Sequence, residues 1–149
     1  MTEPDKVVIH VVGTQTDSLG EKNVIETTAE GRHYYRHGQH YVLYDDDSLT
    51  DTPTPTVLKI EPEAMTLLRR GEVEFEQRFC QNQQTSSRYR TPYGTLELGV
   101  ATESLSIEYG TVTGNIELSY DMSVNGSHQS RNTLRIEVSC APGERHRLN

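Results

Sequence analysis

From Ile116 to Val124 the chain alternates strictly: Ile116, Leu118, Tyr120, Met122 and Val124 are separated by the polar Glu117, Ser119, Asp121 and Ser123. A period of two places these sets on opposite faces of an extended strand, one facing a core and one facing water. Asn125-Gly126 follows, the residue pair that best accepts the positive φ values of a type I′ hairpin turn. Leu134, Ile136, Val138 and Cys140 alternate on the way back, while the polar run 127–132 predicts loose pairing beside the turn.

The same signature recurs along the chain. Val7, Ile9 and Val11 share a face of the first strand. A second strand, residues 24–36, puts Ile25, Thr27, Ala29 and Gly31 on one face, small residues that suit a crowded or curved interior, with Gly31 at a bend. His37-Gly38 reads as a two-residue turn into a returning strand, 39–45, in a register that sets Tyr35 opposite His40 and His33 opposite Val42. Residues 45–55, DDDSLTDTPTP, have no hydrophobic pattern and are expected to form a mobile lip. Residues 56–60 form a short strand.

Residues 61–71 admit two readings. Pro62 near the start, Leu67 and Leu68, and Arg69-Arg70 before Gly71 satisfy the start and stop rules of a helix. As a strand, Met65 to Arg69 pairs with the alternating Val73, Phe75, Gln77 and Phe79, which need an antiparallel neighbour, and this reading is preferred. A polar turn over 81–87 leads to a strand rich in Arg and Tyr, a Thr91-Pro92-Tyr93-Gly94 turn, and Leu96, Leu98, Val100 and Thr102 on one face. Leu105, Ile107 and Tyr109 resume the pattern after a break at Glu103-Ser104. Nine or ten strands joined mostly by short turns predict an all-β fold, a single antiparallel up-and-down barrel, because closure removes the sheet edges that invite aggregation.

Composition agrees with that economy. Only 33% of the 149 residues are hydrophobic, so each strand supplies the core from one face. One domain spanning 1–149 is expected, with frayed tails at 1–5 and 142–149. Fourteen basic against 22 acidic residues give a net charge of −8, which disfavours nucleic acid and anionic membranes as partners. The start, MTEPDKVVIH, lacks the basic and apolar regions of an export signal, so a cytoplasmic location is expected, with Cys80 and Cys140 as reduced thiols.

Several short runs occur in a fixed order: Leu67-Leu68-Arg69-Arg70-Gly71-Glu72-Val73, Gln77-Arg78-Phe79, Tyr89-Arg90-Thr91-Pro92-Tyr93-Gly94, and Gly114-Asn115-Ile116 through Tyr120-Asp121-Met122. In this order they resemble the YwiB-like family of small bacterial proteins of unknown function, over residues 7–138. The resemblance implies a lipocalin-like (calycin) β-barrel of about 8–10 strands and favours strand over helix for Met65 to Arg69. It implies no catalytic or binding residue.

Function has to be sought in polar groups that are in phase with apolar faces. Arg69 is in phase with Met65 and Leu67, and Gln77 with Val73, Phe75 and Phe79; buried without a partner, each would cost several kcal/mol. A ligand carboxylate or phosphate could be that partner, and so could a protein carboxylate or a strand bulge. Tyr89 and Tyr93, with Arg88 and Arg90, suit the mouth of an amphipathic pocket, whereas Tyr120 belongs to a regular apolar face. The candidate ligand contacts are therefore Arg69, Gln77, Arg78, Tyr89 and Tyr93. Of His33, His37 and His40, His33 and His40 could share one face of the hairpin, but no third ligand stands at a fixed spacing to them, and Asp45-Asp46-Asp47 lacks the pattern of a calcium loop, so no metal and no cofactor are expected. No linear catalytic motif is present and no catalytic residue is assigned, which places an enzyme third. A non-enzymatic barrel that binds a small anionic or amphipathic molecule comes first. A filled barrel that docks another protein, including a second copy of itself as a homodimer, is the alternative.

Overall fold

The computed structural model describes residues 4–48 and 51–142. Ten strands follow one another: β1 (Asp5–Asp17), β2 (Lys22–Arg36), β3 (Gln39–Asp46), β4 (Thr54–Ile60), β5 (Ala64–Arg70), β6 (Glu74–Cys80), β7 (Gln84–Thr91), β8 (Gly94–Tyr109), β9 (Gly114–Val124) and β10 (Ser127–Cys140). Every sequential pair is antiparallel, and β1 also pairs with β10, so the sheet is a closed up-and-down barrel. The Met65 to Arg69 segment is a strand, paired with β4 on one side and β6 on the other. Two hungry neighbours outweigh the local helix signals.

Turn chemistry agrees with the sequence at both tight hairpins. His37 and Gly38 have φ of 55° and 77°, and Asn125 and Gly126 have 49° and 87°, as a type I′ turn requires. The β2–β3 register sets Tyr35 opposite His40 and His33 opposite Val42. The break after Thr102 is a bulge within one long strand, β8.

Three segments are more ordered than the sequence suggests. Asp45 and Asp46 extend β3 and pair with Pro55 and Thr54, so the loop between β3 and β4 is shorter than the expected lip, and residues 49–50 lie outside the described residues. Pro55 is tolerated because the β4–β5 ladder begins only at Thr56, leaving its missing N–H on an unpaired side. Residues 84–87 are strand, not turn, and 127–132 pair with β9 through a bulge between His128 and Ser130. Their inward positions are polar, which hides the alternation. Of the expected tails, Asp5 belongs to β1, and residues 1–3 and 143–149 lie outside the described residues.

Because the strands run up and down, the turns fall alternately at two ends. At the His37 end lie the 37–38, 61–63, 81–83 and 110–113 connections; at the Tyr93 end lie 18–21, 47–48, 51–53, 71–73, 92–93 and 125–126. The His37 half is solid: Val7, Ile9, Val42, Ile60, Met65, Ile116 and Val138 are all 2% exposed or less. Among these, Gly31 is a necessity of packing. A Cβ there would lie 2.4 Å from the Leu43 carbonyl oxygen and 2.6 Å from Ile9 Cδ1. The backbone oxygen cannot yield cheaply, so Gly31→Ala should destabilise the barrel by about 1–3 kcal/mol or more through overpacking. Urea denaturation measures it; an unchanged midpoint would show that the β2–β3 ladder can shift.

Candidate functional site

The Tyr93 half of the barrel is hollow. A cavity of about 300 Å³ is lined by Val11, Leu58, Leu67, Phe75, Phe79, Leu98, Val100, Met122, Leu134 and Ile136, with Gln15, Tyr44, Arg69, Gln77, Tyr89, Tyr120 and Asn132 as its polar groups. Larger depressions exist on the outside, such as one of about 440 Å³ across β7–β10, but they are shallow and open on the wet face of the sheet. Of the two, the interior cavity combines apolar walls with convergent polar groups, the usual form of a small-molecule site.

Three of the five sequence candidates reach this cavity: Arg69, Gln77 and Tyr89. Tyr89 packs edge-on against Phe75, with ring centroids 5.4 Å apart. Arg78 lies between the inward Gln77 and Phe79, so alternation turns it outward, where it meets Glu61 at 2.6 Å. Tyr93 is 98% exposed at the turn tip. Arg88 and Arg90 are likewise outward, near Glu97 and Glu74, in solvated pairs that contribute little.

Arg69 is already engaged. Its Nη1 donates to Asp46 Oδ2 at 2.8 Å and to Thr56 Oγ1 at 3.2 Å. Burial acts to raise the Asp46 pKa, but hydrogen bonds from Ser48 and Arg69 and the guanidinium charge outweigh it, holding the carboxyl below its ordinary value. Asp46 is therefore an ion at neutral pH, and Arg69 is its counter-ion. Gln77 is engaged as well, and its role is structural. β6 and β7 share a single paired position, Glu74 with Arg90, among the described residues. Across this thin seam Gln77 Nε2 donates to Thr85 Oγ1 and Ser87 Oγ donates to Gln77 Oε1, while Nε2 also donates to the Arg78 carbonyl of its own strand. One side chain replaces missing rungs of the ladder.

The remaining polar lining was not singled out from the sequence. On the inner face of β1 and β10, Gln15 Nε2 donates to Ser130 Oγ at 3.2 Å, and Ser130 Oγ donates to Asn132 Oδ1 at 3.3 Å. Asn132 is 6% exposed, and its Nδ2 has no hydrogen-bond partner. Tyr44 and Tyr120 also line the cavity; burial pushes the Tyr44 pKa up to about 12 and raises that of Tyr120, so both hydroxyls stay protonated. Ser130 and Asn132 were legible only as being in phase with Leu134 and Ile136.

A second polar cluster closes the His37 end. His33 Nδ1 lies 3.2 Å from Asp5 Oδ2, and His33 Nε2 lies 2.9 Å from His40 Nδ1. With Asp5 ionised, His33 Nδ1–H donates to it, which leaves Nε2 to accept from His40. Tyr109 stacks on His33 and contacts His40, and Tyr35 packs on His40 from outside. No group of three metal-ligating side chains occurs among the described residues. Cys80 and Cys140 are free thiols.

These features can be set beside known proteins. A family model described as a domain of unknown function, DUF1934, matches residues 9–136. The chain belongs to the DUF1934 family. It is 26% identical over 136 residues to an uncharacterised β-barrel protein, YwiB of Bacillus subtilis (strain 168), covering 91% of this chain and 94% of that one. The crystal structure of the Bacillus subtilis YwiB protein matches with a TM-score of 0.83 over 95% of each chain, at 26% identity. The family resemblance read from the motif order is thus confirmed, and so is the barrel; the family's function is uncharacterised.

Two outcomes follow for DUF1934 barrels built in this way. Removing one partner of a buried ion pair strands the other, so Arg69→Met is expected to cost about 3–5 kcal/mol, and adding Asp46→Leu should recover most of it. Denaturant titrations of both variants check this; a single-variant loss below about 1 kcal/mol would mean water reaches Asp46. At the other end, burial lowers the His33 pKa against the opposing hydrogen bond and charge of Asp5, and burial and then the His33 charge lower that of His40. The unfolded chain therefore takes up protons first, near the ordinary value of 6.5. Stability should fall as pH drops through 6.5 toward the folded values and be fully retained above it. Thermal melts from neutral to mildly acidic pH should show this slope, flattened in His40→Gln; a slope unchanged in that variant would place it elsewhere.

Proposed function

We propose that the barrel binds one small amphipathic molecule in its interior, without chemistry on it, the apolar body lying between Leu67, Phe75, Leu98, Met122 and Leu134. The observation that carries this reading is a cavity with the volume of about ten waters whose walls are mostly apolar and whose polar groups are concentrated toward the Tyr93 end. Empty apolar space in a core forfeits dispersion contacts, and a barrel of this strand number could be closed by larger side chains. Leaving it open is economical only if something else fills it. The polar lining supports a hydrogen-bonding head group, since the Tyr44 and Tyr120 hydroxyls can donate or accept and the Arg69 guanidinium donates.

Native mass spectrometry of freshly isolated protein, with thermal-shift titration against medium-chain amides, acids and alcohols, tests the proposal. Binding is expected with a rise in melting temperature, and Leu134→Trp, which fills the cavity, should abolish it while the far-ultraviolet spectrum stays that of the barrel. Failure of every probe to bind, together with no co-purifying mass, would overturn the reading in favour of a barrel that acts through its outer surface.

A further inference from the structure

We infer that the free edge of β2 at the Tyr93 end is a dimerisation surface, on which β2 of a second copy of this chain pairs antiparallel about a two-fold axis. The inference concerns the outer wall and goes beyond the cavity. β2 follows β1 from Lys22 to His33, but β3 accompanies it only from Gly31 to Arg36. The two-residue His37-Gly38 turn makes Arg36 and Gln39 the hydrogen-bonded closing pair, so even-numbered residues of β2 aim their N–H and C=O groups toward β3. No register shift interrupts β2. Lys22, Val24, Glu26 and Thr28 therefore aim theirs the same way, and among the described residues no strand stands beside them. Residues 22–26 are all exposed, Val24 by 59% and Ile25 by 48%. An edge like this is normally blunted by a proline, a bulge or a covering strand, and none occurs here among the described residues.

The charges on the edge identify its occupant. Unlike charges directly opposite stabilise an antiparallel pair, and like charges oppose it. With Val24 on the two-fold axis, Lys22 faces the partner's Glu26 and Glu26 faces the partner's Lys22, both in hydrogen-bonded positions. A shift by one hydrogen-bonded step sets Lys22 opposite Thr28, and a second sets Glu26 opposite its own copy. Only the first register makes two unlike pairs, and it brings the exposed Val24 against itself. His10 Nε2 meets Oε2 of Glu26, which leaves Oε1 for the lysine. A segment of another protein could use the same backbone groups, but the pattern Lys22, Val24, Glu26 is its own complement. Two edges this short fall below the about 1,000 Å² of a stable complex, so the dimer should dissociate on dilution.

Sedimentation equilibrium of the full chain from about 10 μM to about 1 mM should show a monomer–dimer equilibrium, the range over which a weak interface fills. Val24→Pro removes an N–H that points at the partner and none that points at β1, so it should abolish the dimer while the circular dichroism stays that of the barrel. Lys22→Glu and Glu26→Lys should each weaken self-association about tenfold or more, because each sets like charges opposite twice. An equimolar mixture of the two should restore it as a heterodimer. Amide hydrogen exchange is independent of the variants: Val24 and Glu26 should exchange more slowly at the high concentration than at the low one. A dimer that persists in Val24→Pro, a mixture no tighter than its components, or unchanged exchange at Val24 would overturn the inference. So would a monomer throughout the range, which would leave the edge to an extended segment of another protein. If Val24→Pro does not fold, the charge variants and the exchange decide. None of these outcomes bears on ligand binding in the cavity.

Discussion

The ladder on both sides of β1 is what the rest of the molecule depends on. β1 pairs with β10 from Val7 opposite Cys140 to Asp17 opposite Ser130, and with β2 from Asp5 opposite His33 to Thr16 opposite Lys22. Without it, β2 and β10 would be long open edges. With it, every second side chain of ten strands is directed into one closed volume, and the composition of those inward positions decides what is core and what is cavity. The weakest part of the wall lies between β6 and β7, where Gln77 substitutes for backbone rungs. It stands beside the cavity it helps to enclose.

Inward polar groups sort by how completely the protein satisfies them. Arg69 with Asp46, Gln77 with Thr85 and Ser87, and His33 with Asp5 and His40 are all paired within the chain. Each makes burial tolerable by supplying a partner, as the cost of an unpaired polar group demands. Asn132 departs from this pattern in a lining position, with one end tethered and the other free.

Much of the wall was readable in advance. Alternation in Ile116 to Val124 and the glycines at His37-Gly38 and Asn125-Gly126 specify strands, turns and register by local rules that hold wherever the strand lies. The inward phase of Arg69 and Gln77 was readable for the same reason. Segments whose inward positions are polar were read less fully, 84–87 as turn and 127–132 as loosely paired, because the direction of Thr85, Ser87, Ser130 and Asn132 shows only once the neighbouring strands are in place. Arg78 and Tyr93, grouped with the inward candidates by nearness in sequence, are separated from them by alternation and by exposure at the turn tip.

By itself, the sequence determined that this chain is an antiparallel all-β barrel, since period-two patterning and turn chemistry are local properties of residues. Only the tertiary structure decided which inward polar groups are spent on the protein and which remain for something else. Asp46 meets Arg69 across 23 positions, and Gln15 meets Ser130 across 115. Partners so far apart become neighbours only when the barrel closes. No spacing rule in the chain could have shown that Arg69 is satisfied and Asn132 Nδ2 is not.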